Sequence, residues 1–163
     1  MDPLIQLKPV GTVRNEIKSR YRSLPWRETV DRMKKQREAV SEIIIDTGLE
    51  NALDGIEEFS HIVVLYWPHR LPPESRSLIK VHPLGSPDFP ETGVFATQSP
   101  ARPNPILTST VRLLGRRGNV LRVAGLDALD GSPVLDIKPY VPDYFKDIRL
   151  PDWIRRIGRQ FED

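Results

Sequence analysis

The sequence predicts a mainly β protein: a single small β-barrel of antiparallel or mixed strands with a few short helices. Short β-branched and aromatic runs alternate with turns rich in Gly, Pro and Asp along most of the 163 residues. The 16 prolines fix many turns and disfavour long uninterrupted helices. The length suits one domain, predicted as residues 1–163, with enough chain to bury one core.

The first part of the chain predicts two strands with a long loop between them. Residues 4–13 read as the opening strand, and the β-branched run at residues 40–46 reads as the second. Residues 14–37 have few apolar anchors, which predicts an exposed loop with a helical turn near residues 28–36.

Residues 61–67 form the candidate central strand. This continuous β-branched and aromatic run ends at Pro68 and is typical of a strand that is buried on both faces. Residues 78–82 and 93–97 read as two further short strands, with a Pro/Gly/Asp turn region between them.

The last part of the chain predicts a hairpin, a strand and a helix. Residues 109–114 and 120–124 form the hairpin, because their apolar side chains are spaced by two and residues 115–119 supply glycines for the link. Residues 134–140 form the last strand. An amphipathic helix at 151–161 places apolar side chains on one face, namely Trp153 or Ile154, Ile157 and Phe161.

Several function classes are excluded by composition. With no cysteine, the chain offers no disulfide, no thiolate zinc site and no cysteine nucleophile. The three histidines lack metal-binding spacing, so no metal is expected. There is no GxSxG, P-loop or GxGxxG motif, no apolar run of membrane-spanning length and no signal-peptide pattern. We therefore expect a cytoplasmic protein without a membrane partner.

Positive charge is concentrated in two segments. Residues 14–37 hold nine basic and three acidic side chains, although the whole chain is only +2. The second segment lies near the C-terminus and comprises Arg149, Arg155, Arg156 and Arg159. Clustered cations suit a polyanionic partner such as RNA. A solvated mobile loop explains the first cluster equally well.

The segment Ala96 to Ile106 is the least ordinary stretch of the sequence. Its three prolines lie within six residues, fix φ and remove backbone donors, so the loop is expected to be stiff. A rigid loop loses less entropy on binding a ligand. The alternative is a Pro-rich loop that only turns the chain at a barrel end.

A second unusual stretch runs from Gly125 to Tyr140. Asp136 and Lys138 are two residues apart, so they share one face of a strand and are able to form an ion pair inside a pocket. A surface salt bridge is the alternative, and Asp127 and Asp130 are also common turn formers.

These two stretches, with Phe59-Ser60-His61-Ile62 before them, resemble the TrmO/TsaA/YaeB-like family. Its signature looks like GVFATRSPxRPNPIG, followed by DxxDGTPxxDIKPYxP, and the likeness extends from Val10 to Pro142. The resemblance implies a TsaA-like β-barrel that binds S-adenosylmethionine (AdoMet) without a Rossmann fold, as a homodimer with its pocket near the subunit interface. It also implies methylation of N6 of the threonylcarbamoyl-modified adenosine 37 of tRNA. The additional C-terminal domain of bacterial members is expected to be absent.

The resemblance assigns roles to individual residues. It places AdoMet against Phe95, Ala96, Thr97, Gln98, Arg102, Pro103, Asn104, Pro105, Ile106, Asp127 and Ser132. Asp136 is the candidate acceptor of the N6 proton or an orienting group, Lys138 sets its charge state, and His61 is the third catalytic candidate. Arg102 is expected to fix either the loop or a polar group of the ligand. His61 also suits a buried, hydrogen-bonded histidine. The expected tRNA phosphate ligands are Arg20, Arg22, Arg32, Lys34 and Lys35.

Two positions depart from the family signature. Gln98 stands where the signature has Arg, which removes a fixed charge and a forked donor. Leu107 stands where it has Gly, which would obstruct a close backbone approach at that position. Two alternatives therefore stay open: an AdoMet-dependent methyltransferase that acts on a small molecule, and a non-catalytic AdoMet-binding module.

Overall fold

The computed structural model describes residues 5–18 and 25–162. Its strands are β1 (Gly11–Arg14), β2 (Val40–Ile45), β3 (His61–Tyr66), β4 (Lys80–Val81), β5 (Thr92–Gly93), β6 (Leu107–Arg117), β7 (Val120–Ala124) and β8 (Pro133–Pro139). Its α-helices are α1 (Trp26–Glu38) and α2 (Asp152–Gly158). Short 3₁₀ helices span Thr47–Leu53, Ile56–Glu58, Pro73–Ser77, Pro83–Gly85, Val94–Ala96 and Arg159–Phe161.

Six strands close into a barrel, which confirms the predicted mainly β fold. Their order is β1, β2, β7, β6, β3, β8, and β8 pairs back onto β1. Every pair is antiparallel, so the mixed arrangement is not adopted. β4 and β5 form a separate two-stranded sheet.

The barrel interior is filled by side chains from alternate strand positions. Ile43, Ile62 and Leu121 are fully buried, as the period of two along a strand requires. The prediction that β3 is buried on both faces was wrong. A barrel wall has one inner face, so β3 buries Ile62 and Val64 while its outward side chains stay exposed or half-buried.

The hairpin of β6 and β7 was predicted correctly, although β6 is longer than expected. Arg117 pairs with Val120, so the predicted five-residue link shrinks to a turn at Gly118 and Asn119. Gly118 has φ of 58°, in the left-handed region that favours glycine. The predicted strands at 40–46 and 134–140 are confirmed by β2 and β8.

The prediction of a loop with one helical turn over residues 14–37 was wrong. α1 is a 13-residue helix, and Val30 on it is buried. Val30 belongs to a small apolar cluster with Phe89, against which side chains of α2 and the following turn pack. This tertiary packing supplies stability that the local sequence does not show, because isolated helices of this length are marginal.

Three predicted strands are shorter in the structure. The described part of the predicted strand at 4–13 is regular only from Gly11. β4 and β5 have two residues each, and a 3₁₀ turn at Val94–Ala96 replaces the end of the second. Across residues 5–18 and 25–162, no helix is both long and apolar enough to cross a membrane.

Both unusual sequence stretches lie at one end of the barrel, which we call the motif end. Tyr66, the last residue of β3, pairs with Leu107 at the start of β6, so residues 94–106 arrive there. The amide of Gly131 donates to the carbonyl of Val13, which places residues 125–132 at the same end.

Candidate cofactor site

Arg102 holds residues 94–106, which we call the Pro-rich loop, from inside. Its Nη2 donates to the carbonyls of Val94, at 2.8 Å, and Thr97, at 2.6 Å, and so pins the start of the loop to its middle. Its Nε is buried and has no hydrogen-bond partner among the described residues. Arg102 therefore fills one of the two roles predicted for it, that of holding the loop. Contact with a ligand stays a prediction.

Side-chain hydroxyls extend this lock along the loop. Thr97 is buried, and its Oγ1 donates to the carbonyl of Val94 at 2.9 Å and accepts from the amide of Ser99 at 3.2 Å. The hydroxyl of Ser99 in turn accepts from the amide of Ala101 at 3.2 Å. These two hydroxyls bind backbone near them, so hydrogen bonds within the loop help to define its shape.

The far half of the loop is held by proline burial and by a second arginine. Pro105, two residues before β6, is fully buried. Arg76 donates from Nε to the carbonyl of Pro103 at 3.0 Å, and its guanidinium lies 5.6 Å from the Trp67 ring. Arg76 was not predicted as a site residue, since it lies 27 residues before Pro103 and no local pattern links them.

The side chains that remain exposed on this loop form the candidate ligand surface. Phe95 is 82% exposed, and Ala96, Gln98, Asn104 and Ile106 are also exposed. Phe95 and Ile106 offer apolar contacts, and Gln98 and Asn104 offer amide donors and acceptors, so a ligand at this loop would contact these side chains.

Leu107 does not obstruct the loop. Its side chain is buried and belongs to the barrel core, so it faces away from the solvent side of the motif end. The departure from glycine at this position therefore fills the core and leaves the exposed face of the loop unchanged. Gln98 remains the departure that alters the candidate ligand surface.

The second stretch is tied into the barrel. Ser132 is only 1% exposed, and its Oγ lies 3.3 Å from Nδ1 of His69. The hydroxyl of Tyr66 donates to the backbone carbonyl of Asp127, whose side chain is exposed. Of the two residues of this stretch that were predicted to bind the cofactor, Asp127 is thus the accessible one, while Ser132 is directed inward.

Asp130 joins this stretch to the segment that follows β1. Its carboxylate accepts from Lys18 Nζ at 2.5 Å and from the backbone amide of Asn15 at 3.0 Å. The hydrogen bond from Lys18, followed by that from Asn15, holds the pKa of Asp130 below its ordinary value. Asp130 thus builds structure, as the turn-forming alternative for this residue predicted.

His69 lies beside the same turn, and its surroundings favour the neutral imidazole. Burial, and then the positive charge of Arg70, lower the pKa of His69, while Asp130 acts in the opposite direction. A neutral imidazole is able to exchange a hydrogen bond with Ser132 in either tautomer.

Asp136 and Lys138 form the predicted ion pair, but on the outer wall of the barrel. Lys138 Nζ lies 2.6 Å from Asp136 Oδ2, and the two side chains are 62% and 46% exposed. The expectation of a pair inside a pocket was wrong within this chain, because the inward side chains of β8, such as Val134, already fill the interior.

His61 is exposed, which corrects the expectation of a buried histidine. Its Nδ1 lies 2.9 Å from Ser60 Oγ, and its ring meets Tyr140 edge-on at 6.4 Å. It begins β3, whose other end, Tyr66, is at the motif end, about 16 Å away at the usual rise per residue. One chain therefore does not bring His61 to the Pro-rich loop.

Three of the five residues predicted to bind tRNA phosphates lie in α1. Arg32 and Lys35 are exposed, and Lys34 is half-buried with Nζ 5.9 Å from the Phe161 ring. Arg20 and Arg22 lie outside the described residues. In the part of the chain that the structure describes, no three His, Asp or Glu side chains are grouped to hold a metal ion.

Comparison with known proteins identifies the family. Residues 18–146 match the family model described as the tRNA-methyltransferase O N-terminal domain. The chain belongs to the TrmO family. This confirms the resemblance seen in the two sequence stretches.

Two relatives of this chain carry names that refer to AdoMet. A "Probable S-adenosyl-L-methionine-binding protein" of Methanothermobacter thermautotrophicus is 45% identical over 142 residues, which cover 87% of this chain and 94% of the relative. An "S-adenosyl-L-methionine-binding protein" of Archaeoglobus fulgidus is 42% identical over 137 residues, which cover 84% and 90%.

A solved TrmO structure shares the fold. TrmO from Pseudomonas aeruginosa superimposes with a TM-score of 0.67 at 32% identity, and the match covers 90% of this chain and 62% of that one. The chain thus spans about three fifths of the length of the solved TrmO chain.

Proposed function

We propose that this chain binds AdoMet at the motif end of its barrel and methylates N6 of a (threonylcarbamoyl-)adenosine at position 37 of tRNA. The observation that carries the proposal is the loop locked by Arg102, which contains the family signature and leaves Phe95, Gln98 and Asn104 exposed. Its shape is set by its own hydrogen bonds, so little entropy is lost when a ligand binds.

The exposed groups fit the chemistry of AdoMet. Phe95 offers a flat apolar face for an adenine ring, and the amides of Gln98 and Asn104 both donate and accept hydrogen bonds. Asp127 places an exposed carboxylate at the same end of the barrel, which suits a cationic ligand. AdoMet, when bound, supplies a methyl group on a positively charged sulfur.

The protein's part in the reaction is mainly alignment and the exclusion of water. Asp136 is the proposed acceptor of the proton that leaves N6, and Lys138, 2.6 Å away, orients its carboxylate. His61 lies on the same outer wall, one strand away from β8, and is proposed as a further polar contact to the nucleotide.

We also propose that the chain acts as a homodimer. The three catalytic candidates lie on the outer wall of the barrel, namely Asp136, Lys138 and His61. A second copy is therefore needed to enclose them beside a Pro-rich loop. A pair of exposed aromatic side chains after β8 supports this, because Tyr144 is 90% exposed and Phe145 is 73% exposed.

Light scattering after size exclusion tests the dimer. The wild type should elute as two copies, and the double change Tyr144→Ser, Phe145→Ser should yield a folded monomer that has lost methyl transfer. A wild type that is monomeric at the assay concentration would contradict the proposed dimer.

The activity itself is tested in two steps. Calorimetric titration should show AdoMet binding, and the protein should then transfer labelled methyl to tRNA from cells that lack the enzyme. Asp136→Asn should bind AdoMet normally and lose methyl transfer, whereas Asp54→Asn, an exposed aspartate near the hairpin, should keep both.

Two other outcomes would redirect the proposal. Binding of AdoMet without methyl transfer to any tRNA would favour a small-molecule acceptor, which the neutral Gln98 in the cofactor loop makes the second candidate. No transfer to either class of acceptor would favour an AdoMet-binding module. Failure to bind AdoMet at all would contradict the proposed function.

A further inference from the structure

The two basic segments that the sequence separates meet in the structure. α2, which starts at Asp152, lies beyond the residues that match the family model and packs against the cluster formed by Val30 and Phe89. Trp153, Ile157 and Phe161 provide its apolar contacts. The segments are thus joined by packing between residues inside the family match and a helix beyond it.

Cations over an aromatic ring also stabilise the contact between α1 and the turn that follows α2. The Arg37 guanidinium lies 4.1 Å from the centre of the Phe161 ring, and Lys34 Nζ lies 5.9 Å from it. These distances are typical of cation–π contacts. The same contacts draw the positive ends of α1 side chains toward the C-terminal turn, where further arginines are located.

α2 presents its own cations away from this contact. Arg155 and Arg159 are four residues apart, so they lie on one side of the helical segment, and both are exposed. The ion pairs found within residues 5–18 and 25–162 include neither of them. Both guanidinium groups are therefore exposed to solvent, beside the basic side chains of α1.

We propose that α1 and α2 form one phosphate-binding surface, and that Arg155 and Arg159 contact the phosphodiester backbone of the RNA substrate. The proposal rests on the tRNA function proposed above and adds a second RNA-binding element to it. Exposed cations gathered at one place in a chain of net charge +2 mark a polyanion surface rather than general solubility.

Salt-dependent binding of tRNA tests the surface. Arg155→Gln with Arg159→Gln should weaken tRNA binding and make the plot of log affinity against log salt shallower by roughly 1 to 2. The matched control is Arg117→Gln with Arg122→Gln, which removes the same charge from exposed positions on the β6–β7 hairpin. The control should shift the slope far less. Equal effects of both pairs would overturn the proposal, because they would show that only total charge matters.

A second variant tests the joining of the helices rather than their charge. Phe161→Ser keeps every cation but removes the ring on which Arg37 and Lys34 lie. We expect it to reduce tRNA affinity while the barrel's circular dichroism is retained. Unchanged tRNA affinity would overturn the idea of one combined surface.

The readouts separate this inference from the proposed function. If the wild type binds no tRNA, the tRNA function fails. If the wild type binds and methylates tRNA but the α2 double variant matches it in affinity and salt slope, only the role of α2 fails. AdoMet affinity should stay constant in all of these variants, since the hydrogen bonds that hold the loop at residues 94–106 come from Arg102, Thr97 and Arg76 and not from α2.

Discussion

The two stretches at the motif end are held in opposite ways. Residues 94–106 are stabilised mainly by bonds within the loop, through Arg102 and the hydroxyl of Thr97. Residues 125–132 are stabilised by distant parts of the chain, among them Asn15, which donates to the carbonyl of Ala128. The first stretch is a loop whose shape is fixed by its own hydrogen bonds and whose outer side chains are exposed. The second stretch is hydrogen-bonded to other parts of the barrel chain. Changes in the two should therefore affect different measurements.

The largest expected effect is on stability, from Asn15→Ala. The Asn15 amide donates to Ser41 Oγ at 3.0 Å and to the carbonyl of Ala128 at 2.9 Å. Ser41 is buried, so loss of the Asn15 amide leaves buried polar groups without hydrogen-bond partners. The free energy of unfolding should fall by about 2 to 3 kcal/mol. Urea denaturation measures this. Asn104→Ala, an exposed amide on the Pro-rich loop, should stay within about 0.5 kcal/mol of wild type. Equal losses would remove the distinction between the two stretches.

The next effect is on ligand affinity, from Arg102→Lys. Lysine keeps the charge but lacks the forked donors that bind the carbonyls of Val94 and Thr97. Hydrogen bonds from charged groups contribute about 1.5 to 3 kcal/mol, so AdoMet affinity should fall roughly tenfold or more. Calorimetry measures it, with Arg117→Lys as the control. Retention of full AdoMet affinity would show that the loop does not depend on this lock.

A smaller effect concerns pH and Asp130. The pKa of Asp130 is lower in the folded protein than its ordinary value of 3.8. Its carboxylate therefore stabilises the fold above that pH, and the contribution is lost as the pH falls from 3.8 through the lowered pKa. Asp130→Asn should lower Tm at neutral pH, and its difference from wild type should shrink in acid. A difference in Tm that stays constant with pH would contradict this.

The smallest expected effect is on stability, from Lys138→Ala. The ion pair with Asp136 is exposed, so its loss should cost under about 1 kcal/mol. If Asp136 accepts the proton, the loss of methyl transfer should be larger than this small loss of stability explains. Arg14→Ala is the control, since it breaks another exposed ion pair, with Glu42 on β2. A parallel loss of methyl transfer in both variants would argue against a specific role for Lys138.

Most of the barrel was predictable from the sequence, because strand burial follows local alternation. The hairpin of β6 and β7 and the apolar face of the C-terminal helix were recognised in this way. α1 was not, since its stability depends on Phe89 and Phe161, which lie far along the chain. The lock by Arg102 could be anticipated from its place among prolines. The Arg76 contact to Pro103 could not, because only the fold brings the two together.

The Pro-rich loop is anchored unequally at its two ends. Before it lies β5, which has two residues and pairs with the equally short β4, whereas after it comes the 11-residue β6 of the closed barrel. Isolated two-stranded pairings are marginal in water. Amide hydrogen exchange should accordingly be fast on the Val94 side and slow beyond Pro105. Local opening of the loop should therefore be confined to its Val94 side, and the closed barrel beyond Pro105 should stay intact.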